Sequence, residues 1–294
     1  MNILKIISKL EDIFPDELTN DFINSMPRKK LTAEQKARPY SKYYYKDMAK
    51  IPQADLDIIN AGPISSKKAL SIYEAKEILK DGYLEAETGY CVMPNRTGFA
   101  ATKVFMPNVT PKMINWWFNW HPLEGLRYMI WCPVGHTDIS AKEPNKHLDN
   151  TYVPLKIRNI GTTHYPEEGF NVEGSTNIEI KFRSPQILGI TPDMVKNSSM
   201  KAFQIATCSN KIPPIPINIF FHAVRLVNGG VEFRSHYWLN YTIKNNKISV
   251  SKIPLPIQVV SALAKNNCIH SLIEYNNLAS ILPQLYKEQA GQIN

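Results

Sequence analysis

The pattern of apolar and polar residues predicts a series of β-strands from about Tyr83 onward. Short segments rich in β-branched and aromatic residues recur there, separated by prolines, glycines and asparagines. Val227-Asn228-Gly229-Gly230-Val231 is a strong hairpin signal, because Asn and Gly tolerate the positive φ angles of tight turns. The predicted strands cover residues 87–93, 98–106, 126–132, 152–165, 176–183, 201–208, 217–227 and 231–243.

A long helix is predicted after the last strand. Residues 256–287 have helical apolar spacing, with Asn266-Asn267 as a weak point and a kink expected at Pro283. An antiparallel sheet packed on this helix satisfies the order of elements, because each then covers the apolar face of the other. The sequence therefore predicts an α+β domain over residues 81–294, with a ligand cavity between a curved sheet and the helix.

Residues 1–80 are predicted to form a separate N-terminal helical extension. Residues 66–80 have the spacing of one amphipathic helix that ends at Gly82. An earlier apolar stripe consists of Ile3, Ile6, Ile7 and Leu10. This stripe suits the dimerisation surface of a homodimer.

An aromatic-rich stretch, Asn115–His136, contains four of the five tryptophans. Thr110 and Pro111 precede it with the pattern of a helix N-cap followed by proline at the first helical position. So much aromatic surface lines a core or encloses an aromatic ligand. We therefore expect this stretch to form one wall of a buried pocket and to end in a metal ligand, His136.

Composition narrows the class of protein. The 294 residues carry a formal charge of +8, but the basic residues are scattered and their one local run is Arg28-Lys29-Lys30, which favours a solvated surface over nucleic-acid binding. The four cysteines lack a CxxC pair, which fits a reducing compartment. No window approaches the roughly 20 apolar residues of a membrane span. A cytoplasmic protein with no nucleic-acid or membrane partner is expected.

His270 and Glu274 have the clearest metal-ligand spacing, since residues i and i+4 lie on one face of a helix. Such pairs also occur often on solvated surfaces. The neighbouring apolar residues indicate instead a largely buried helix, where a carboxylate needs a partner. These neighbours are Val259, Val260, Leu263, Ile269, Leu272 and Ile273.

Other candidates are more ambiguous taken alone. His136 follows an apolar segment, where a histidine is more often a hydrogen-bonded core residue. His164 and Glu168 lie on one face of a predicted strand and Glu167 on the other, although glutamates at a strand end are usually solvated. His222 lies within a strongly apolar strand, where its imidazole requires a partner whether or not it is catalytic.

Five segments together resemble the diacetylphloroglucinol hydrolases, a family that includes phloretin hydrolase. They are WWFNWHPLEGLRYMIWCPVGH, GTTHYPEEG, FFHAVR, SHYW and HSLIE. The resemblance runs from about Tyr40 to the chain end and is strongest between Thr110 and Glu168. It implies a Bet v 1-like helix-grip fold and a zinc-dependent enzyme that hydrolyses the carbon–carbon bond between an acyl group and a polyhydroxylated aromatic ring. It also implies a homodimer formed with the N-terminal helical part.

The resemblance also implies roles for individual residues. The zinc ligands would be His136, Glu168, His270 and Glu274, with Glu167 as the alternative to Glu168. The residues that hold the phenolic hydroxyls would be Tyr128, His222 and Tyr237. His121, at the end of the tryptophan-rich helix, is interpreted as structural.

Two points stay open at this stage. Asp138 stands where the family often offers a polar contact to substrate, but the sequence does not place its side chain, so the identity of the acylphenol stays open. The alternative function is a non-catalytic carrier of hydrophobic ligands, because a fold of this kind does not fix function.

Overall fold

An antiparallel sheet forms the body of the protein. The computed structural model describes residues 14–142, 159–170, 175–211, 216–253 and 255–292. The strands are β1 (Gly89–Val92), β2 (Gly98–Pro107), β3 (His136–Lys142), β4 (Thr163–Glu168), β5 (Thr176–Phe182), β6 (Met200–Asn210), β7 (Pro216–Val227) and β8 (Gly230–Leu239). They lie in the order β1-β2-β8-β7-β6-β5-β4-β3. A separate two-stranded ribbon pairs β9 (Tyr241–Lys244) with β10 (Lys247–Val250).

Helices flank the sheet on both faces. They are α1 (Asn20–Ser25), α2 (Ala33–Ala37), α3 (Gln53–Asn60), α4 (Pro111–Trp120), α5 (Gly125–Met129), α6 (Pro192–Lys196) and α7 (Ile257–Gln289). Short 3₁₀ helices span Ser41–Tyr43, Ile72–Leu79, His121–Leu123, Pro185–Leu188 and Ala290–Gln292. The predicted start of α4 is confirmed, because the Thr110 side chain accepts a hydrogen bond from the Met113 N–H and Pro111 follows the cap.

Helix α7 packs along the inner face of the sheet, against β1, β2 and β8. Its 33 residues bury a continuous apolar stripe against inward-facing side chains of the strands. The predicted α+β fold, a large antiparallel sheet with a long C-terminal helix, is therefore confirmed. None of the helices within the described ranges combines the length and the apolar character that crossing a membrane requires.

A second apolar cluster covers the outer face of the sheet. Ile72, Ala75 and Ile78 are buried there at intervals of three residues, which matches the three residues per turn of a 3₁₀ helix. The predicted amphipathic α-helix over residues 66–80 is wrong in type, since the regular part is the 3₁₀ segment Ile72–Leu79. Both faces of the central strands are thus covered.

The predicted strand 126–132 is also wrong, because Gly125–Met129 forms α5. A short continuous apolar run fits a buried strand and a buried helix equally well, so periodicity could not separate them. Strand β4 begins at Thr163, and the first half of the predicted strand 152–165 lies outside the described residues. The predicted stripe over residues 3–10 also lies outside them.

The N-terminal segment contributes to the same apolar core as the sheet and α7. Leu18, Ile23, Tyr43 and Leu56 are buried in that cluster. The Lys29 ammonium also donates a hydrogen bond of 3.2 Å to the carbonyl of Thr137. The division of the chain into residues 1–80 and 81–294 stays a prediction.

His236 on β8 is a buried histidine on the outer face of the sheet, and it makes the stability of the protein depend on pH. It is fully buried, and neither ring nitrogen has a hydrogen-bond partner among the described residues. Burial, with a smaller contribution from the charge of Arg234, holds the pKa of His236 well below its usual value. The ring therefore stays neutral in the folded protein at a pH where the unfolded chain takes up a proton.

Because the folded pKa is lowered, stability is lost as the pH falls below the unfolded value. The free energy of unfolding should fall by up to about 1.4 kcal/mol per pH unit below about pH 6.5 on account of this group. We expect His236→Phe to remove this contribution. Urea unfolding at about pH 7.5 and about pH 5.5 measures the free energy of unfolding of both proteins. On going to the lower pH, this free energy should fall less for the variant than for the wild type. A difference between the two proteins that does not change with pH would contradict the assignment.

Candidate active site

Three separate segments bring four titratable side chains to one place. His136 begins β3 and Glu168 ends β4, and the two residues are direct cross-strand partners. His270 and Glu274 come from α7, one helical turn apart. The strand register and the helix spacing together therefore assemble the group that the sequence predicted.

The distances within this group are short. The Nε2 atoms of His136 and His270 lie 3.0 Å apart. The Glu274 Oε2 atom lies 3.5 Å from His136 Nε2 and 3.8 Å from His270 Nε2. Glu168 Oε2 lies 3.9 Å from His270 Nδ1. The two imidazoles and the Glu274 carboxylate thus face a common point, and Glu168 lies beside it, on the Nδ1 side of His270.

Helix α5 orients His136. The His136 Nδ1–H donates a hydrogen bond of 3.1 Å to the carbonyl of Tyr128, which leaves the unprotonated Nε2 directed toward His270 and Glu274. The Tyr128 ring stacks on the imidazole at 3.8 Å with an interplanar angle of 2°. The Tyr128 hydroxyl donates a hydrogen bond to Glu168. A histidine held through Nδ1 by a backbone carbonyl is a common arrangement for a metal ligand.

Burial perturbs every member of the group. It raises the pKa of Glu168 to about 7 and that of Glu274 well above its usual value, and the Glu168 charge raises the latter further. Burial lowers the pKa of His270 to about 4 and that of His136 well below its usual value. Neutral imidazoles are the form that binds a metal, and a cation at the common point would stabilise both carboxylates.

Cys132 was not predicted from the sequence, because it has no cysteine partner at zinc-site spacing. Its Sγ atom and one ring nitrogen each of His136 and His270 all lie within 4.8 Å of one another. The thiol is fully buried one turn before His136, and the backbone N–H groups of Gly135 and His136 donate hydrogen bonds to the Cys132 carbonyl. The residues present can therefore hold a metal ion with nitrogen, oxygen and sulfur donors.

A cavity of about 110 Å³ lies beside this group, between α7 and the sheet. Glu168, His270 and Glu274 line one part of it, and the three predicted phenol-binding residues, Tyr128, His222 and Tyr237, also line it. His136 and Cys132 lie behind the wall. A smaller cavity of about 20 Å³ adjoins it and shares the side chains of Phe118, Gln204 and His222.

His222 is held in a fixed orientation. Its Nδ1 shares a hydrogen bond of 3.0 Å with the Ser235 hydroxyl, and its Nε2 lies 3.4 Å from the Tyr275 hydroxyl. Burial lowers the pKa of His222 to about 3, so the ring is neutral. Burial raises the pKa of Tyr237 well above its usual value, so its phenol stays protonated and able to donate. The cavity wall is therefore rich in neutral hydrogen-bonding groups.

The aromatic stretch has a divided role. Trp131 and Phe118 line the cavity, while Trp116, Trp117 and Trp120 pack in the core behind it. His121, interpreted as structural from the sequence, donates through Nδ1 to the carbonyl of Trp117 at 2.9 Å and also lines the cavity. His164, noted only as a neighbour of Glu168, is a further lining residue.

The two ambiguous acidic residues lie away from the cavity lining. Glu167 accepts a hydrogen bond of 2.8 Å from the Ser175 hydroxyl and sits on the strand face opposite to Glu168. Asp138 is exposed, and its carboxylate accepts a hydrogen bond from the N–H of Ile139. Neither side chain is among those that line the cavity.

Comparison with known proteins gives consistent matches. Residues 70–287 match the model of the DAPG hydrolase PhiG domain. A 2,4-diacetylphloroglucinol hydrolase from a Pseudomonas species is 27% identical over 284 residues, covering 90% of this chain and 94% of the relative. Phloretin hydrolase from Eubacterium ramulus is 29% identical over 278 residues, covering 92% of this chain and 98% of the relative.

Among solved structures, that of Ara h 8.0201 aligns with 62% of this chain and 99% of its own length. The TM-score is 0.36 and the sequence identity is 13%. This similarity is too low to define the fold, which is established by the sheet order and α7.

The glutamate pair on β4 offers a matched test of the site. We expect Glu168→Gln to lower the metal content of the purified protein at least about tenfold, because the variant loses a carboxylate oxygen beside His270. Glu167→Gln, one residue away and bonded to Ser175, should keep wild-type metal content. Elemental analysis of both variants measures this, and equal losses would show that Glu168 has no special role.

Proposed function

The chain belongs to the DAPG hydrolase PhiG domain family and is a hydrolase of carbon–carbon bonds in ketonic compounds, and we propose that it acts on acylphenols with a zinc ion as cofactor. In this reaction water adds across the bond between an acyl carbon and a polyhydroxylated ring, releasing a carboxylic acid and the deacylated phenol. The observation that carries the proposal is the placement of His136, Glu168, His270 and Glu274 against a buried cavity lined by Tyr128, His222 and Tyr237.

The four side chains suit zinc. Two imidazole nitrogens and two carboxylates are ordinary zinc ligands, and their buried position agrees with a bound divalent cation. Bound there, zinc supplies Lewis acidity toward the acyl carbonyl and toward water. The raised pKa values of Glu168 and Glu274 support this assignment, since two buried carboxylates need a compensating charge.

Tyr128 connects the metal residues to the substrate cavity. Its hydroxyl donates to Glu168 and its ring stacks on His136, so it fixes two of the proposed ligands while lining the cavity. Its buried phenol has a pKa well above the usual value, which keeps the proton on the oxygen. Because the single Tyr128 proton is donated to Glu168, a substrate hydroxyl near this oxygen would meet a hydrogen-bond acceptor at the edge of the metal site.

The leaving group sets the chemical demand on the cavity wall. An aryl carbanion is a very poor leaving group, so the ring carbon that carries the acyl group has to take up a proton before or as the bond breaks. Ortho and para hydroxyls feed electron density into the ring and favour its keto form. The protonated Tyr237 lies in the wall as a donor to a ring oxygen in that form, and the neutral His222 contacts a neighbouring ring oxygen through Nε2, in place of its 3.4 Å contact with the Tyr275 hydroxyl.

The apolar part of the wall excludes bulk water from the reaction. Phe118, Trp131, Phe182 and Phe220 line the cavity and supply flat surfaces for a phenol ring. Removing bulk water strengthens the interactions of the substrate with the metal residues and the hydroxyls.

The homodimer and the cytoplasmic location belong to the same proposal. Tyr45, Ile58 and Tyr73 of the N-terminal segment are exposed apolar side chains, which supports a contact surface within residues 1–80.

Removal of a metal ligand tests the function. We expect His270→Ala to reduce the zinc content and to lower acid release from an acylphloroglucinol at least about a hundredfold, because both the ligand and its Lewis acidity are lost. Treatment of the wild type with a chelator should do the same, and added zinc should restore activity to the wild type only. Binding of acylphenols without acid release by the zinc-loaded wild type would indicate a carrier instead.

Cobalt substitution tests whether Cys132 takes part in metal binding. With Cys132 as a ligand, the cobalt-loaded protein should show a sulfur-to-cobalt charge-transfer band in the near ultraviolet, and Cys132→Ser should lose it. With the two glutamates as ligands, the band should be absent from the wild type and Cys132→Ser should bind cobalt unchanged. We expect the second result, because the glutamates and not Cys132 line the cavity where the substrate carbonyl would lie.

A further inference from the structure

The floor of the cavity, formed by β6, β7 and β8, consists of three cross-strand rows. The middle row pairs Ala206 with Phe220 and Phe220 with Tyr237. One outer row pairs Gln204 with His222, and the other pairs Cys208 with Asn218. An aromatic row is thus flanked by a polar residue on either side, and Gln204, Phe220, Tyr237 and Asn218 all line the cavity.

Gln204 has an unused hydrogen-bond donor. Its side chain is 6% exposed, and its Nε2 atom has no hydrogen-bond partner in the described part of the chain. Its cross-strand neighbour His222 cannot serve, because both His222 nitrogens already face Ser235 and Tyr275. A buried amide donor without a partner is unfavourable unless something else in the cavity accepts its hydrogen bond.

The Asn218 side chain has a hydrogen-bond acceptor without a partner, and the neighbouring hydrogen bonds show that this acceptor is the amide oxygen. The Asn267 Nδ2 donates a hydrogen bond of 2.8 Å to the carbonyl of Leu263, and a carbonyl can only accept. The Asn267 Oδ1 therefore faces Asn218 and accepts from its Nδ2 at 2.7 Å. That leaves Asn218 Oδ1, on a side chain that is 5% exposed, without a partner among the described residues.

The two groups are far apart along the floor. Gln204 and Cys208 are separated by four residues of β6, which at about 3.3 Å per residue is about 13 Å, and Asn218 is the partner of Cys208. One phenol ring with its hydroxyls is shorter than this distance. A ligand that bonds to both the Gln204 amide N–H and the Asn218 amide oxygen must therefore carry an oxygen at each of its two ends. Its apolar or aromatic middle part would lie over the middle row.

We propose that Gln204 and Asn218 are specificity-determining residues for the acylphenol substrate. The Gln204 amide N–H binds an oxygen of the polyhydroxylated ring, beside His222. The Asn218 amide oxygen can only accept, so it binds a hydroxyl at the far end of the acyl substituent. This inference rests on the proposed function and assigns the two ends of the substrate within the same cavity.

The test compares two substrates that differ by one hydroxyl. They are phloretin, whose acyl chain ends in a hydroxyphenyl ring, and its analogue without that distal hydroxyl. Asn218→Leu should raise KM for phloretin about tenfold or more and leave the analogue unchanged, because only phloretin loses a hydrogen bond. Gln204→Met should raise KM for both substrates alike, with kcat little changed, because both carry the same polyhydroxylated ring.

Asn119→Leu is the matched control. Asn119 also has an unpartnered amide oxygen but lines neither cavity, so its variant should leave KM for both substrates unchanged. If Asn218→Leu affects both substrates equally, or Gln204→Met affects neither, the two amides are satisfied by buried water and the proposal is overturned.

Failure of the proposed function gives a different pattern. In that case the wild type releases no acid from either compound. Calorimetric binding of the same two compounds then still tests the recognition step, where Asn218→Leu should weaken phloretin binding alone.

Discussion

The structure depends on burying two carboxylates beside two imidazoles. Glu168 and Glu274 lie inside the protein with raised pKa values, and the basic side chains within 4 Å of their carboxylates are His136 and His270, which burial keeps neutral. A buried carboxylate without a compensating charge costs several kcal/mol. A bound cation would remove this cost, so the proposed metal would also hold β3, β4 and α7 together.

Helix α7 carries both the core and the site. Its apolar stripe packs on the sheet, and Asn267, His270, Ser271, Glu274 and Tyr275 form the stripe that lines the cavity. Ser271 is tied to Thr102 of β2 by a hydroxyl pair at 2.7 Å, and Tyr275 faces His222. The packing that stabilises the fold therefore also sets the distance between the proposed metal ligands and the cavity wall that contains His222 and Tyr237.

Much of this arrangement could be predicted from the sequence where the local signal was unambiguous. The strands from β5 to β8 and helix α7 begin and end within a few residues of their predicted bounds, because turn residues and long periodic runs mark them. The spacing of His270 and Glu274 indicated a shared face, but only the resemblance supplied His136 and Glu168 as their partners. That pairing depends on the register of β3 against β4, which no local pattern encodes. Gln204 and Asn218 were missed because their importance comes from burial without an internal partner, and Cys132 was missed because only the fold brings it close to His136 and His270.

The most direct test of the central claim is anomalous diffraction from crystals of the protein, with data on both sides of the zinc absorption edge. We expect a single strong peak at bonding distance from His136 Nε2, a ring nitrogen of His270 and the carboxylates of Glu168 and Glu274. An empty site in zinc-loaded protein, or a peak bonded to other residues, would contradict it.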